Sequence, residues 1–381
     1  MPLRAGIVGC GGISRSHATA YAHLDAASLV AVCDIDPERL EKRATEFEVP
    51  GRYADYREMF ARERLDVVSI CTHAPLHADV ACAAADAGVH VLCEKPLALD
   101  LEGADRMVAH CATAGVQLAV SHQFRFTPAL RTARRLVAEG RIGTLRCVRE
   151  VGKGRPAGFE LMEMGVHYFD ELAFFLDGID WVHARVTYRG RQAEVGDIMH
   201  SSELCTTDPR DNGMVAGDTM LIQLGGSRGA SGLVELYERA TRDSWIAGPH
   251  LLGDRGQLMI KGSPQSSDYE LWYCPGDVSF AAHTPAWERV EIPAQAYLIE
   301  GRAWPGHPSI WSVRDMLQAL VEGRQPELGG AQAANSLECV SAVYESHFTG
   351  ARAVLPLAER GHPLIRRLAA NGENTSEGEA F

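Results

Sequence analysis

Short apolar runs alternate with helical patterns through the first 122 residues. The runs end in polar residues or glycines and predict strands over Leu3–Val8, Leu29–Cys33, Asp66–Cys71, Val89–Cys93 and Gln117–Val120. Between them, amphipathic stretches predict helices over Ser14–Ala22, Pro37–Phe47, Asp55–Arg62, Leu76–Ala87 and Asp100–Ala114. Near-continuous apolar strands joined by helices are typical of a parallel sheet covered on both faces, with right-handed crossovers. The pattern therefore predicts a doubly wound α/β domain over residues 1–123.

The pattern changes after Gln123. Helices are predicted over Thr127–Glu139, Phe159–Leu176, Ile310–Glu322 and Ala331–Thr349. Strand-like runs separated by glycine-rich turns lie at Thr144–Val151, Val182–Tyr188, Asp218–Leu224, Ala230–Tyr237, Gln257–Lys261 and Tyr269–Tyr273. We expect a second, α+β domain over residues 124–370, an open, mostly antiparallel mixed sheet covered by helices on one face.

Two polar segments stand apart from this pattern. Asp197–Asp211 has the composition of a long loop between strands. Because long loops are often functional, we interpret it as a candidate lid over a pocket. Residues 371–381 are polar and acidic, and they predict a disordered tail.

The composition and net charge of the chain limit the kinds of molecule and surface that it can bind. The 381 residues include 37 basic and 50 acidic side chains, a formal net charge of -13. This charge argues against nucleic acid or an anionic membrane, because both are bound through basic surfaces. No apolar run approaches the roughly 18 residues that span a bilayer, and the N-terminal residues lack the apolar region of a secretory signal. We expect a cytoplasmic protein.

The cysteine and histidine patterns do not indicate a metal centre. The ten cysteines are scattered and form no Cys-x-x-Cys pair, which is typical of structural thiols in a reducing compartment. His73 and His77 have the spacing of paired ligands, but neither an acidic residue at His-Glu-x-x-His spacing nor a cysteine pair accompanies them. We predict no metal site.

A glycine-rich hexamer follows the first strand and opens the first helix. It reads Gly9-Cys10-Gly11-Gly12-Ile13-Ser14, a dinucleotide-binding fingerprint with serine in place of the third glycine. Gly9 permits the tight turn, and Gly11 lets the backbone approach a pyrophosphate at the helix N-terminus. Ser14 is small enough for close packing of helix and strand. We predict cofactor contacts from Gly9, Gly11, Gly12, Ile13 and Ser14.

An acidic residue lies 20 positions after Ser14. Asp34 ends the second strand, where its carboxylate can bind the ribose hydroxyls of a dinucleotide. The next residue is Ile35, so no adjacent side chain favours a 2′-phosphate, and the predicted cofactor is NAD rather than NADP. Arg39, at the start of the next helix, is the side chain that would reach back to a 2′-phosphate. The alternative for Asp34 is an ordinary helix cap.

Cys93-Glu94-Lys95-Pro96 ends the fourth predicted strand, at the carboxyl edge where open α/β sheets bind ligands. A lysine at this edge can donate to a substrate hydroxyl and stabilise charge on its oxygen as hydride leaves. Pro96 restricts the backbone and so limits where Lys95 can point. The alternative interpretation is a solvated loop.

Three polar residues recur through the predicted helix Phe159–Leu176. Glu163, His167 and Asp170 are spaced by four and three residues, which places them on one helix face. A carboxylate one turn from a histidine can orient its ring and raise its pKa, which suits a general base. The alternative is a solvated helix face opposite a buried stripe.

Taken together, these segments resemble the Gfo/Idh/MocA family of oxidoreductases, the group of glucose–fructose oxidoreductase and inositol dehydrogenase. The resemblance covers nearly the whole chain. It rests on the segments Gly6–Ile13, Val68–His77, Cys93–Pro96, His122–Phe126, Met164–Asp170, Ala342–Ser346, Gly350–Arg352 and Val354–Pro356.

The resemblance implies an N-terminal Rossmann domain that binds NAD(P). It also implies a second domain that holds the substrate and often the subunit interface, so a homodimer or homotetramer is expected through the C-terminal sheet. Lys95 matches the catalytic lysine, and His167 matches the histidine that accepts the hydroxyl proton. Glu163 stands where many family members carry Asp.

The matched motifs also imply further contacts. For the cofactor, they add Thr72, His77, Glu94, Lys95 and Arg125 to the residues above. For the substrate, they imply Lys95, Arg125, Glu163, His167 and Asp170. Family members mostly oxidise a secondary alcohol of a sugar, cyclitol or similar polyol, or reduce the corresponding ketone.

Three functions remain open at this point. The first is a dehydrogenase that transfers hydride between NAD and a polyol. The second is a glycosidase or lyase on the same scaffold, which oxidises a hydroxyl transiently, eliminates the aglycone and returns the hydride. The third is a non-catalytic sensor of NAD, against which the retention of both Lys95 and His167 counts.

Overall fold

The computed structural model describes residues 1–204, 213–226, 229–238, 248–262, 269–276, 286–303 and 307–372. Contacts within the chain define two units. Unit 1 comprises Met1–Phe126 and Tyr297–Asn335, and unit 2 comprises Thr127–Ala296 and Ser336–Phe381. This division differs from the expected consecutive domains, 1–123 and 124–370, because residues 297–335 return to unit 1. The expected tail, 371–381, lies outside the described residues from 373 onward.

Strand and helix alternate through the first part of the chain. The strands are β1 (Leu3–Val8), β2 (Ala27–Cys33), β3 (Gly51–Tyr53), β4 (Val67–Ile70), β5 (His90–Cys93) and β6 (Leu118–Val120). The helices are α1 (Gly12–His23), α2 (Pro37–Glu46), α3 (Tyr56–Arg62), α4 (Ala74–Asp86) and α5 (Leu101–Ala114). Carboxylates of Asp36, Asp55 and Asp100 begin α2, α3 and α5, each accepting a hydrogen bond from a backbone N–H of the first turn.

The rest of the chain continues with α6 (Pro128–Ala138), β7 (Leu145–Val151), α7 (Ala157–Glu160), α8 (Val166–Leu176), β8 (Trp181–Tyr188), β9 (Arg191–Gln192), β10 (Ile198–His200), α9 (Ser201–Leu204), β11 (Met214–Ala216) and β12 (Thr219–Gly225). It then forms β13 (Ser231–Tyr237), β14 (His250–Gly253), β15 (Gly256–Lys261), β16 (Glu270–Pro275), β17 (Glu288–Val290), β18 (Leu298–Ile299) and β19 (Arg302–Ala303). The last elements are α10 (Ser309–Glu322), α11 (Gly330–Thr349), β20 (Ala353–Val354) and α12 (Pro363–Ala370).

Unit 1 is built on one parallel sheet with the strand order β3-β2-β1-β4-β5-β6. This is the order of a doubly wound, Rossmann-type sheet, so the predicted fold of the first domain is confirmed. The direction of the strand order reverses between β1 and β4. Loops that follow these strands therefore flank the crevice in which such sheets bind their ligands.

Helix α10 accounts for the return of the chain to unit 1. It packs against α1, and its buried residues Ile310, Val313 and Met316 belong to the same apolar core as Ala18 and Tyr21 of α1. The sequence predicts this helix but not its location, because an amphipathic pattern does not identify the surface that its apolar face covers.

The described residues of unit 2 form a sheet of ten strands, β17-β16-β15-β14-β7-β13-β12-β8-β20, with β9 beside β8. Neighbouring strands are antiparallel except for β7 and β13, which are parallel. Helix α8 packs on β7 and β13, and α6 packs on β15 and β16. Burial alternates along β8, β12 and β13, and Leu221 on the other face is 51% exposed. The expected mixed, mostly antiparallel sheet is confirmed.

Several of the strands and the short helices show no clear pattern in the sequence. Strand β14 is central in the sheet, yet its four residues are too few to show a period.

Among the described residues, no helix is long and apolar enough to cross a bilayer.

Candidate active site

The glycine-rich loop between β1 and α1 has the shape that a pyrophosphate needs. Gly9 has a φ of +91°, and a methyl group there would lie 2.7 Å from the carbonyl carbon of Cys71. At Gly11 and Gly12 a methyl group would meet no described atom within 4 Å. Gly9 is therefore needed for the turn, whereas Gly11 and Gly12 leave an open cradle at the N-terminus of α1. Such a cradle fits the pyrophosphate of a dinucleotide.

Arg43, on α2, holds this loop in place through two hydrogen bonds. Its Nη2 donates to the Gly11 carbonyl oxygen at 3.0 Å, and its Nε donates to Oγ of Ser14 at 3.0 Å. The hydroxyl of Ser14 in turn donates to the Gly11 carbonyl oxygen at 2.6 Å. Sequence reasoning missed Arg43, because nothing in the pattern of α2 distinguishes it from the other charged residues of that helix.

Asp34 has both carboxylate oxygens engaged by the backbone. Its Oδ2 accepts from the N–H of Cys10 at 2.6 Å, and its Oδ1 accepts from the N–H of Asp36 at 2.8 Å. Each oxygen keeps a second acceptor position, so the half-buried carboxylate still fits ribose hydroxyls. Asp36, rather than Asp34, caps α2. Burial and the Asp34 charge raise the pKa of the Cys10 thiol to about 12, so no thiolate lies beside the cradle.

The two residues near Asp34 that bear on cofactor choice are both exposed. Ile35 is 88% exposed and offers only an apolar side chain. Arg39 forms an ion pair with Asp36, with its Nε 3.1 Å from Oδ2. The guanidinium of Arg39 is thus directed to the cap of its own helix, which agrees with the prediction of NAD.

The Glu94-Lys95-Pro96 turn follows β5 and is packed rather than solvated. Glu94 is buried, Pro96 is buried and Lys95 is half-buried. The alternative of a solvated loop is therefore wrong. Nε2 of His17, on α1, lies 2.8 Å from Oε1 of Glu94. Burial opposes ionisation of Glu94, but the hydrogen bond and charge of His17 outweigh it and lower the pKa of Glu94 to about 2.

His77 connects two loops at the same edge of the sheet. Its Nδ1 lies 2.9 Å from the Pro96 carbonyl oxygen and its Nε2 lies 3.0 Å from the Thr72 carbonyl oxygen. Burial lowers the pKa of His77 below its ordinary value. A neutral ring donates only one of these bonds at a time. Both ring nitrogens face the backbone, so what the structure shows for His77 is support of the Thr72 and Pro96 loops.

The remaining predicted residue of unit 1 is Arg125. It lies in a buried 3₁₀ helix, Gln123–Phe126, which two residues separate from the end of β6. Its side chain is 9% exposed.

Within the described residues, no group of three or more His, Cys, Asp or Glu side chains is arranged to hold a metal ion.

In unit 2, the predicted helix Phe159–Leu176 is divided into three parts. Helix α7 leads into a π-helical turn, Leu161–Gly165, which leads into α8. Glu163 lies in the π turn, and His167 and Asp170 lie on α8. All three side chains are buried, with exposures of 6%, 2% and 2%. The alternative of a solvated helix face is therefore wrong, and π turns of this kind are frequent at functional sites.

A second buried carboxylate anchors the segment before α7. The hydroxyl of Tyr168 donates to Oε1 of Glu160 at 2.7 Å, and the N–H of Arg155 donates to Oε2 at 3.1 Å. The N–H of Lys153 also donates to Glu160. Burial and the Glu160 charge raise the pKa of Tyr168 well above its ordinary value. Sequence reasoning did not identify Glu160, whose role depends on contacts with residues on both sides of it.

The segment Asp197–Asp211, interpreted as a lid, is only partly described. Residues 205–211 lie outside the described residues. Its first part is not a loop, because β10 pairs with β11 and α9 follows. Asp197 is held by two bonds from Arg191, both at 2.7 Å. A role as a lid stays a prediction.

Comparisons with known proteins find dehydrogenases that are similar to this chain. Residues 3–122 match the model of the GFO_IDH_MocA group, described as "Oxidoreductase family, NAD-binding Rossmann fold". D-apiose dehydrogenase of Paraburkholderia graminis is 29% identical over 383 residues, which cover 95% of this chain and 92% of that protein. Myo-inositol 2-dehydrogenase of Thermotoga maritima is 29% identical over 46% of this chain and 56% of its own length.

A solved structure extends the similarity to both units. The WlbA dehydrogenase of Bordetella pertussis, in complex with NADH and UDP-GlcNAcA, is 26% identical with a TM-score of 0.69. The match covers 94% of this chain and all of that one. These relatives are dehydrogenases, and the matched model is that of an NAD-binding domain. Residues 3–122 are thus an NAD-binding Rossmann domain of the Gfo/Idh/MocA group of oxidoreductases, and the similarity to a dehydrogenase extends over nearly the whole chain.

Proposed function

We propose that this protein is an NAD-dependent dehydrogenase that oxidises a secondary hydroxyl of a sugar, glycoside or cyclitol, or reduces the corresponding ketone. The observation that carries the proposal is the place of Lys95. It lies on the packed turn after β5, at the carboxyl edge of the sheet that also holds the glycine-rich loop. Ligands of open α/β sheets bind along this edge. The D-apiose and myo-inositol dehydrogenases among the relatives support the substrate class.

Lys95 and His167 are the proposed proton-handling groups. The ammonium group of Lys95 donates a hydrogen bond to the reacting oxygen and stabilises the negative charge that develops there. His167 accepts the hydroxyl proton at a ring nitrogen during oxidation and returns it during reduction. When bound, NAD supplies the acceptor for the hydride that leaves the same carbon.

Other predicted residues have supporting roles in this proposal. Glu163, one turn before His167, orients the imidazole ring. Arg125 and Asp170 hydrogen-bond to the hydroxyl groups of the substrate. A polyol offers many hydroxyl donors and acceptors to such charged side chains. Thr72, His77 and Glu94 remain predicted neighbours of the cofactor.

A nicotinamide absorbance assay tests the proposal. Purified protein is incubated with NAD or NADP and a panel of D-apiose, myo-inositol, free hexoses, a glycoside and an anhydrosugar. We expect NADH to accumulate with one substrate class and little turnover with NADP. Lys95→Met and His167→Gln should each lower kcat on the order of 100-fold or more, while NADH still binds, as measured by fluorescence titration.

Two outcomes would contradict the proposal. Cleavage of the glycoside without net NADH would identify a redox-cycling glycosidase or lyase instead. If NADH binds but no product of any kind forms across the panel, the sensor becomes the better interpretation. If Lys95→Met keeps the turnover of the wild type, the protein would still be a dehydrogenase. The role assigned to Lys95 would then be wrong.

We also propose that the uncovered face of the ten-stranded sheet joins copies of this chain into a homodimer or homotetramer. Leu221 on this face is a large apolar side chain that is 51% exposed, and contact with a second copy would remove it from water. Leu221→Glu should shift the mass measured by light scattering toward the monomer. Val321→Glu, at a 69% exposed position of α10 in unit 1, is the control and should leave the mass unchanged.

A further inference from the structure

A chain of hydrogen bonds crosses the interior of unit 1 and ends at the turn that carries Lys95. The hydroxyl oxygens of Tyr21 and Ser69 are 2.8 Å apart. Oγ of Ser69 lies 3.0 Å from Nδ1 of His17, and Nε2 of His17 lies 2.8 Å from Oε1 of Glu94. These side chains come from α1, β4 and the turn after β5. The chain of hydrogen bonds therefore connects α1, the helix that follows the glycine-rich loop, to Glu94, the residue before Lys95.

Because its four side chains are buried, this chain of hydrogen bonds is confined to one arrangement. His17 and Ser69 are fully buried, Tyr21 is 2% exposed and Glu94 is 6% exposed. Water does not compete for these bonds, and a buried polar group that loses its partner is strongly unfavourable. The four hydrogen-bonded side chains are thus held in place more firmly than surface pairs of the same type.

The direction of the bonds follows from the carboxylate. An ionised carboxylate only accepts, so Nε2 of His17 carries a hydrogen in either protonation state of the ring. A protonated ring also donates from Nδ1 to the Ser69 oxygen, whereas a neutral ring accepts there from the Ser69 hydroxyl. The bond to Glu94 is kept in both states, and successive bonds of such a chain strengthen one another.

Glu94 connects this chain to the backbone of the next residue. Its second oxygen, Oε2, lies 3.3 Å from the N–H of Lys95. One carboxylate therefore contacts the imidazole of α1 on one side and the backbone of Lys95 on the other. The position of the Glu94 side chain is thus linked to the backbone from which the Lys95 side chain leaves the turn.

We propose that His17 is a positioning residue, which holds Glu94 and thereby fixes the direction from which Lys95 approaches the reacting oxygen. The inference rests on the proposed function of Lys95. His17 does not touch the substrate in this proposal. A purely structural role would make His17 matter for folding alone.

A matched pair of variants separates the two roles. Gln and Met have similar size and shape, but only Gln offers an N–H to Glu94. We expect His17→Met to lower kcat by on the order of 10- to 100-fold with the best alcohol of the panel, because small misplacements of a reacting group are costly. His17→Gln should stay within about threefold of wild type. KM and the Kd of NADH should change by about threefold or less in both variants.

The surface pair of His110 and Asp86 provides the control. Its Nε2–Oδ1 distance is also 2.8 Å, but the side chains are 39% and 70% exposed. His110→Met should leave kcat unchanged, because surface pairs contribute little. If His17→Met does not fold, Ser69→Ala replaces it, since this variant frees the ring of His17 while keeping the bond to Glu94. We then expect a loss of about fivefold in kcat.

Combination with Lys95→Met distinguishes failure of this inference from failure of the proposed function. If His17 acts through Lys95, His17→Met should cause no further loss in the Lys95→Met background. Full multiplication of the two losses would overturn the inference. If Lys95→Met itself is fully active, the proposed function of Lys95 fails first.

Amine labelling gives a readout that needs no substrate. The chain has four lysines, Lys42, Lys95, Lys153 and Lys261, so each can be followed by mass spectrometry of its peptide. A loosened turn should raise the labelling rate of Lys95 by about threefold or more in His17→Met, with the other three unchanged. Unchanged labelling together with unchanged kcat would contradict the positioning role.

Discussion

Oδ2 of Asp34 accepts a hydrogen bond from the backbone N–H of Cys10, at 2.6 Å. The residue predicted to recognise the ribose therefore also holds the glycine-rich loop that is predicted to recognise the pyrophosphate. Cys10 and Asp34 are 24 residues apart in sequence. Cofactor identity and loop shape are coupled through one carboxylate.

Replacing Asp34 by Ala should weaken NADH binding more than the loss of a ribose contact alone would. We expect the Kd to rise by on the order of 30-fold, because hydrogen bonds to a charged group contribute about 1.5–3 kcal/mol. NADH fluorescence titration measures this change. Asp55→Ala removes a similar backbone contact, at 2.8 Å, from the start of α3 and should leave the Kd unchanged. Equal affinities for Asp34→Ala and wild type would contradict the assignment.

Gly9→Ala should abolish NADH binding or folding of the protein. The added methyl group would lie 2.7 Å from the backbone of Cys71, in a residue with a φ of +91°. Gly88→Ala is the matched control, since Gly88 has a φ of +73° but a methyl group there meets no described atom within 4 Å. The control should cost about 1 kcal/mol of stability. Similar melting temperatures for the two variants would show that contact with Cys71 is unimportant.

Arg43→Met should loosen the loop without removing any direct contact to a cofactor. The variant loses the bonds to Ser14 and the Gly11 carbonyl oxygen. We expect the Kd of NADH to rise by about 3- to 10-fold, together with a lower melting temperature. Arg106→Met removes only an exposed ion pair with Asp79, so both quantities should stay near wild type. An effect on melting alone would limit Arg43 to a structural role.

Glu150 should make stability depend on pH in unit 2. Burial and the charge of Glu171 raise the pKa of Glu150 well above its ordinary value of 4.5. Between the unfolded and folded pKa values the folded protein binds more protons than the unfolded chain, so stability falls as pH rises. This contribution is complete below about pH 4.5 and is lost as pH rises through the folded pKa.

Glu150→Gln removes this titration and tests the sign. The difference in unfolding free energy, variant minus wild type, should increase from pH 5 to pH 9, by at most about 1.4 kcal/mol per pH unit. Urea unfolding at each pH measures the difference. Glu291→Gln, at an exposed position, should give a flat difference. A flat result for Glu150→Gln would mean that Glu150 is ionised in the folded protein.

Local features of unit 1 were predictable from the sequence. Near-continuous apolar runs identify buried parallel strands, because such strands are covered on both faces. The roles of Gly9 and Asp34 follow from their places at the ends of β1 and β2. The π turn at Leu161–Gly165 was not predictable, because its residues keep an ordinary amphipathic pattern.

The sequence by itself determined the type and order of the main elements and the residue types at the carboxyl ends of β1, β2 and β5. It did so because period and turn chemistry are local properties of a chain. Only the tertiary structure decided which partners those residues have. Arg43 reaches Ser14 across 29 residues, and His17 reaches Glu94 across 77. Such contacts depend on how strands are ordered in a sheet, and no local pattern records that order.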